Sequence, residues 1–106
     1  MATGRLGSVA PAATTLTTAY TVPTGFYSVF NISITNTNAT PVTFRLALAS
    51  SATPGTNEYI EYGNTIVANG VFERTGIVAD AGKQVVAYIS TTGVNVNVWG
   101  IETSLT

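Results

Sequence analysis

From residue 18 onward, apolar side chains recur at every second position. Phe30, Ile32 and Ile34 alternate with Asn31, Ser33 and Thr35, and Val42, Phe44, Leu46 and Leu48 alternate with Thr43, Arg45, Ala47 and Ala49. Val94, Val96 and Val98 alternate in the same way with Asn95, Asn97 and Trp99. A period of two is that of a strand with one buried face, and no stretch carries the 3.6-residue period of a helix. The alternation predicts strands over Thr18 to Val22, Tyr27 to Thr35, Val42 to Ala49, Glu58 to Tyr62, Thr65 to Ala68, Val71 to Val78, Lys83 to Thr91 and Val94 to Thr103. Between them stand residues that favour turns: Pro23-Thr24-Gly25, Asn36-Thr37-Asn38, Gly63-Asn64, Asn69-Gly70, Asp80-Ala81-Gly82 and Thr92-Gly93. About eight short strands with such punctuation describe an all-β protein, a single antiparallel β-sandwich of jelly-roll or immunoglobulin-like topology.

Two parts of the chain stand out against this pattern. The N-terminal stretch is rich in small residues and has no clear period beyond a short strand at Arg5 to Val9, so residues 1–14 are expected to be an arm and residues 15–106 the sandwich. The stretch FNISITNTNATPVTFRLALA, from Phe30 to Ala49, reads as a hairpin whose outward face carries Asn, Ser, Thr and Ala, with Arg45 as its only charge. Exposed strands commonly carry Lys and Glu, which oppose edge-to-edge association. A face of short, uncharged side chains costs less to desolvate, so this face is expected to be covered by other protein, copies of the chain included.

Composition points the same way. Charged residues are 8% of the 106, against roughly a quarter in an average soluble protein, and the net charge is −1. Four basic residues without a cluster do not make a nucleic-acid surface. No run approaches the roughly 18–20 apolar residues of a membrane-spanning helix, so no membrane partner is expected. The chain has no cysteine and no histidine, which removes disulfides, thiolate metal sites and the usual activated nucleophiles. Its acids are Glu58, Glu61, Glu73, Asp80 and Glu102; Glu58 and Glu61, three apart, fall on opposite faces of a plain strand, which is no facing pair for glycoside hydrolysis. No catalytic residue, metal ligand or cofactor is expected. Adjacent Glu73 and Arg74 point to opposite faces and cannot pair with each other; each is either simply exposed or paired across strands or with another subunit. Trp99 admits three readings: a cap on the core beside a bend at Gly100, an anchor in a subunit interface, or a stacking platform for a sugar ring.

The runs AYTVPTGFYSVFNISITNTNATPVTFRLALA and EYIEYGNTIVANGVFERTGIVADAGKQVVAYISTTGVNVNVWGIE resemble the small β-sandwich virion proteins of tailed bacteriophages, especially cyanophages. The resemblance rests on the YTVP strand and turn, the N-T-N turn, the D-A-G-K turn and the V-x-V-x-V-x-G-I-E ending. It implies a non-enzymatic structural protein of the virion, assembled in the host cytoplasm. The expected role is capsid decoration, cementing the shell by bridging capsomers; a tail, neck or fibre module and a carbohydrate-binding module with Trp99, Tyr59 and Tyr62 as stacking rings are the alternatives. Its expected partners are itself, as a homotrimer, and the major capsid protein or other virion proteins. The residues expected at those interfaces are Arg5, Leu6 and Val9 of the arm, with Arg45, Arg74 and Trp99.

Overall fold

The computed structural model describes residues 3–105. They form eight strands: β1 (Thr3–Val9), β2 (Thr17–Thr21), β3 (Phe26–Asn36), β4 (Val42–Ala49), β5 (Tyr59–Ile66), β6 (Val71–Ala79), β7 (Gln84–Ile89) and β8 (Val94–Ser104). A first sheet runs in the order β1-β8-β3-β6 and a second in the order β2-β7-β4-β5. Every neighbouring pair is antiparallel. The protein is the all-β sandwich that the alternation predicts, and the strand order makes it a jelly roll. β1 pairs with β8, β2 with β7, β3 with β6 and β4 with β5, as if one long hairpin had been folded over on itself. Only β4 and β5 are consecutive strands within one sheet, whereas an immunoglobulin sandwich keeps several sequential hairpins inside its sheets.

Three expectations change. The stretch from Phe30 to Ala49 is not a hairpin, because β3 lies in the first sheet and β4 in the second, and the Asn36–Asn38 turn carries the chain across. Turn residues report a reversal of direction, not which strand lies alongside. Secondly, Gly63-Asn64 does not separate two strands. It lies within β5, where the register against β4 shifts between Phe44 and Arg45 and Gly63 takes φ +70°, which is the geometry of a bulge. Thirdly, the segment expected as an arm contributes β1, hydrogen-bonded to β8 from Thr3 opposite Ile101 to Val9 opposite Val96. The first two residues of that expected arm lie outside the described residues. Leu6 and Val9, expected to dock on a neighbour, pack against this chain's own core.

The core fills the space between the sheets. Phe30, Ile32, Ile34, Val94, Val96 and Val98 face inward from the first sheet, and Val42, Phe44, Leu46, Val85, Ala87 and Ile89 from the second, all nearly inaccessible to water. Full burial of a large apolar side chain is worth about 1.5–3 kcal/mol, so this layer dominates stability. At one end of the sandwich the crossing turns tie to one another. Asn36 is fully buried; its Nδ2 donates to the carbonyls of Thr40, Ile66 and Val67, while its Oδ1 accepts from the Asn38 amide. Asn38 Nδ2 donates to the Thr92 carbonyl at 2.8 Å, and the Asn69 amide donates to the Asn38 carbonyl at 3.0 Å. The Asn/Thr-rich turn is thus the knot that joins three crossovers.

Two glycines mark where backbones approach too closely for any side chain. A Cβ on Gly7 would lie 2.0 Å from the Ala19 carbonyl oxygen, where β1 meets β2 across one open side of the sandwich. A Cβ on Gly100 would lie 2.1 Å from the Val29 carbonyl oxygen. Gly100 is in regular register opposite Phe30, so it serves close approach and not the bend the sequence suggested. Because the obstacle in both cases is backbone, Gly7→Ala and Gly100→Ala should each lower the unfolding free energy by about 2–3 kcal/mol. Urea denaturation followed by circular dichroism measures this; a change below about 0.5 kcal/mol at both positions would contradict the packing described.

Candidate interaction surface

The outer face of the second sheet is built by β4, β5 and β7. Along β4, Arg45, Ala47 and Ala49 point away from the core. Arg45 lies between Tyr62 of β5 and Tyr88 of β7, and Ala47 between Tyr59 and Val86. The register shift in the β4–β5 ladder between Leu46 and Ala47 makes this possible. In a plain strand, residues three apart face opposite sides; with the bulged register, Tyr59 and Tyr62 both stand on the outer face.

The small residues of this face have a local explanation. Ala47, Ala49 and Val86 are buried as a separate cluster, with Tyr59 packed against them. The expectation that this face is covered by other protein is therefore corrected at its centre, where the cover is the chain's own tyrosine. Asn31, on the first sheet, is likewise engaged from within, its Oδ1 accepting from the Gly76 amide at 3.1 Å.

Beside Tyr59 the face becomes open and cationic. Tyr62 meets Tyr59 edge to face, with ring centroids 5.0 Å apart, and is 63% exposed. The Arg45 guanidinium carbon lies 4.3 Å from the Tyr62 ring centre and 4.6 Å from that of Tyr88. Each such contact contributes about 0.5–1 kcal/mol at an exposed site and more when water is excluded. Arg45 makes no ion pair among the described residues. Its charge is held on ring faces, which leaves its N–H donors directed by two fixed walls. Next to it a cleft of about 420 Å³ is lined by Pro54, Thr56, Tyr59 and Tyr62.

The loop that supplies Pro54 and Thr56 is organised by Glu58. Its carboxylate accepts from the Gly55 amide at 2.8 Å and from the Ser50 amide and hydroxyl at 3.1 Å. These bonds, the Gly55 amide first, hold its pKa below the ordinary carboxylate value against a smaller opposing effect of desolvation. Glu61, by contrast, accepts from Arg74 at 2.7 Å across the open side between β5 and β6. The two carboxylates have separate structural partners and do not face one another.

Of the residues singled out in the sequence, Arg5 and Trp99 are brought together, opposite one another on β1 and β8 on the outer face of the first sheet. Arg45 is on the opposite face of the molecule and Arg74 on its side. Tyr88 escaped sequence reasoning, because its place beside Arg45 depends on the β4–β7 pairing between strands distant in the chain. Among the described residues no group of three His, Cys, Asp or Glu side chains is placed to hold a metal ion. No family model, curated protein or solved structure matches the chain.

One polar cluster is internal. The Tyr20 hydroxyl donates to Glu102 Oε2 at 2.6 Å and shares a 2.6 Å hydrogen bond with Ser28 Oγ. Burial, and next the bond to the Glu102 carboxylate, push the Tyr20 pKa up to about 12. The raised pKa means that the neutral phenol is favoured in the folded state. Its stabilisation is therefore complete below the ordinary tyrosine pKa of 10.0 and is lost as pH rises toward about 12. Tyr20→Phe should remove this alkaline loss and cost about 1–2 kcal/mol at neutral pH. Denaturant titrations at neutral and alkaline pH test it; an unchanged alkaline profile in the variant would contradict the assignment.

Proposed function

We propose that the protein is a non-enzymatic structural component of a bacteriophage virion, a capsid decoration protein that binds the shell through the Arg45 face of its second sheet. The observation that carries the reading is Arg45 held between Tyr62 and Tyr88. Tyrosine and arginine are the residue types concentrated at the energetic centres of protein interfaces. A guanidinium stacked on rings is weakly hydrated and already ordered, so docking loses little water and little side-chain freedom. The low charge elsewhere and the resemblance of the strand and turn motifs to small virion proteins of tailed phages support the same reading. In it the partners are the major capsid protein and further copies of the chain, neither nucleic acid nor membrane is a ligand, no cofactor takes part, and the protein resides in the virion after assembly in the host cytoplasm. A tail, neck or fibre module would use the same surface on a different part of the particle.

The cleft beside Tyr62 favours a second reading as a carbohydrate-binding module. Two tyrosine rings, Pro54 and Thr56 offer apolar surface with hydroxyls at its rim, which suits the mixed faces of a pyranose.

The test is attachment to the particle. Purified protein added to virions or empty shells of the encoding phage should decorate the capsid lattice at regular positions visible by electron cryo-microscopy. Arg45→Ala and Tyr62→Ala should each reduce occupancy about tenfold or more while leaving the β spectrum unchanged. Undiminished decoration by both variants would overturn the proposed surface. Saturable glycan binding lost in Tyr62→Ala, with no decoration, would establish the second reading instead.

A further inference from the structure

The outer face of the first sheet is opposite the Arg45 face and has a different character. The registers of its four strands place Thr3, Ile101, Val29 and Val78 in one row across the sheet. Ile101, Val29 and Val78 are exposed, at 47, 37 and 65%. One row further along stands Arg5 beside Trp99, and beyond it Ser33 beside Glu73. The charges of the protein have assigned places: Arg74 pairs with Glu61 and Lys83 with Asp80, Arg45 lies on tyrosine rings, Glu58 binds loop amides and Glu102 accepts from Tyr20. Arg5 and Glu73 are exposed and have no ion pair among the described residues. They stand on the two outer strands of the same face, one at each edge.

This arrangement is complementary to itself. A two-fold axis parallel to the strands, passing between β8 and β3, lays β1 of one copy over β6 of another and β8 over β3. Ile101 then meets Val29 of the second copy, Thr3 meets Val78, and Arg5 comes within one row of the opposing Glu73, a step of about 7 Å that an arginine side chain spans. The symmetry makes both charge pairs at once, as a two-fold interface requires. We infer that this face binds a second copy of the chain, sheet against sheet, with the Ile101–Val29–Val78 row at the centre and Arg5–Glu73 pairs at its two rims. The inference rests on the reading of the chain as an assembling part and names its partner on this face; the residue pattern gives a two-fold contact where a homotrimer was expected from the resemblance.

Size sets the strength. Four strands about 4.8 Å apart and some 20 Å long present roughly 400 Å² per copy, which lies at the low end of specific interfaces. The free protein should therefore dimerise weakly, with a Kd on the order of 100 µM. Sedimentation equilibrium of the full chain, up to about 1 mM, should show a monomer–dimer equilibrium. Arg5→Glu sets two carboxylates against each other and Glu73→Arg two guanidinium groups, so each should weaken association about tenfold or more, and the double swap should recover most of it. Val78→Lys, at an exposed position that folding does not need, should abolish the dimer. A chain that stays monomeric at about 1 mM, that forms trimers, or whose two single swaps and double swap associate alike would overturn the inference. Decoration of particles by a strictly monomeric chain would leave the capsid reading standing without it, and a dimer that never binds particles would do the reverse.

Discussion

The antiparallel pairing of β3 with β8, continuous from Phe26 opposite Ser104 to Asn36 opposite Val94, is the constraint on which the rest of this structure depends. It is the centre of the first sheet and fixes which side chains face in and which face out. Inward, it stacks Phe30, Ile32 and Ile34 against Val94, Val96 and Val98 and so supplies half of the core. Outward, the same ladder sets Val29 beside Ile101 and Asn31 beside Trp99. Slipping this register by one residue would exchange the two sets, placing asparagines in the core and valines in water. Gly100 is part of the same constraint, since a side chain there would strike the β3 backbone.

Crossovers give the sandwich its second property. Because nearly every connection changes sheet, the turns at one end are neighbours in space although distant in sequence, and Asn36 and Asn38 satisfy their polar groups collectively. The two outer faces are left free to differ. One carries a preset arginine between tyrosines, the other a row of aliphatic side chains with opposite charges at its edges. A small domain with two unlike faces, each holding side chains in fixed positions, is suited to linking neighbours in an assembly.

The periodicity of Phe30 to Thr35 and of Val94 to Val98 was legible because one face of each strand is buried and the other is not. Pairing was not, because it is non-local: the Asn36–Asn38 turn reads the same whether the next strand lies alongside or crosses the sandwich. Gly63 reads as turn or bulge with equal right, since both need positive φ; that Tyr59 and Tyr62 share a face comes from the other register shift, between Leu46 and Ala47, which no turn residue marks. The alanines at 47 and 49 signalled a covered surface correctly, but their cover is Tyr59 of the same chain. Arg5 and Trp99 were legible as interface candidates; that they stand side by side, with Glu73 at the far edge of the same face, followed only from the strand order.

The central claim is that both outer faces of the sandwich are contact surfaces in the assembled state. Oxidative footprinting of aromatic and leucine side chains, compared between dilute protein and the assembled form, tests this most directly. Tyr62 on one face and Trp99 on the other should both become protected on assembly, while exposed Leu16 and Leu105, which lie outside the strands, stay reactive. Unchanged oxidation of Tyr62 and Trp99 in the assembled form would contradict the account.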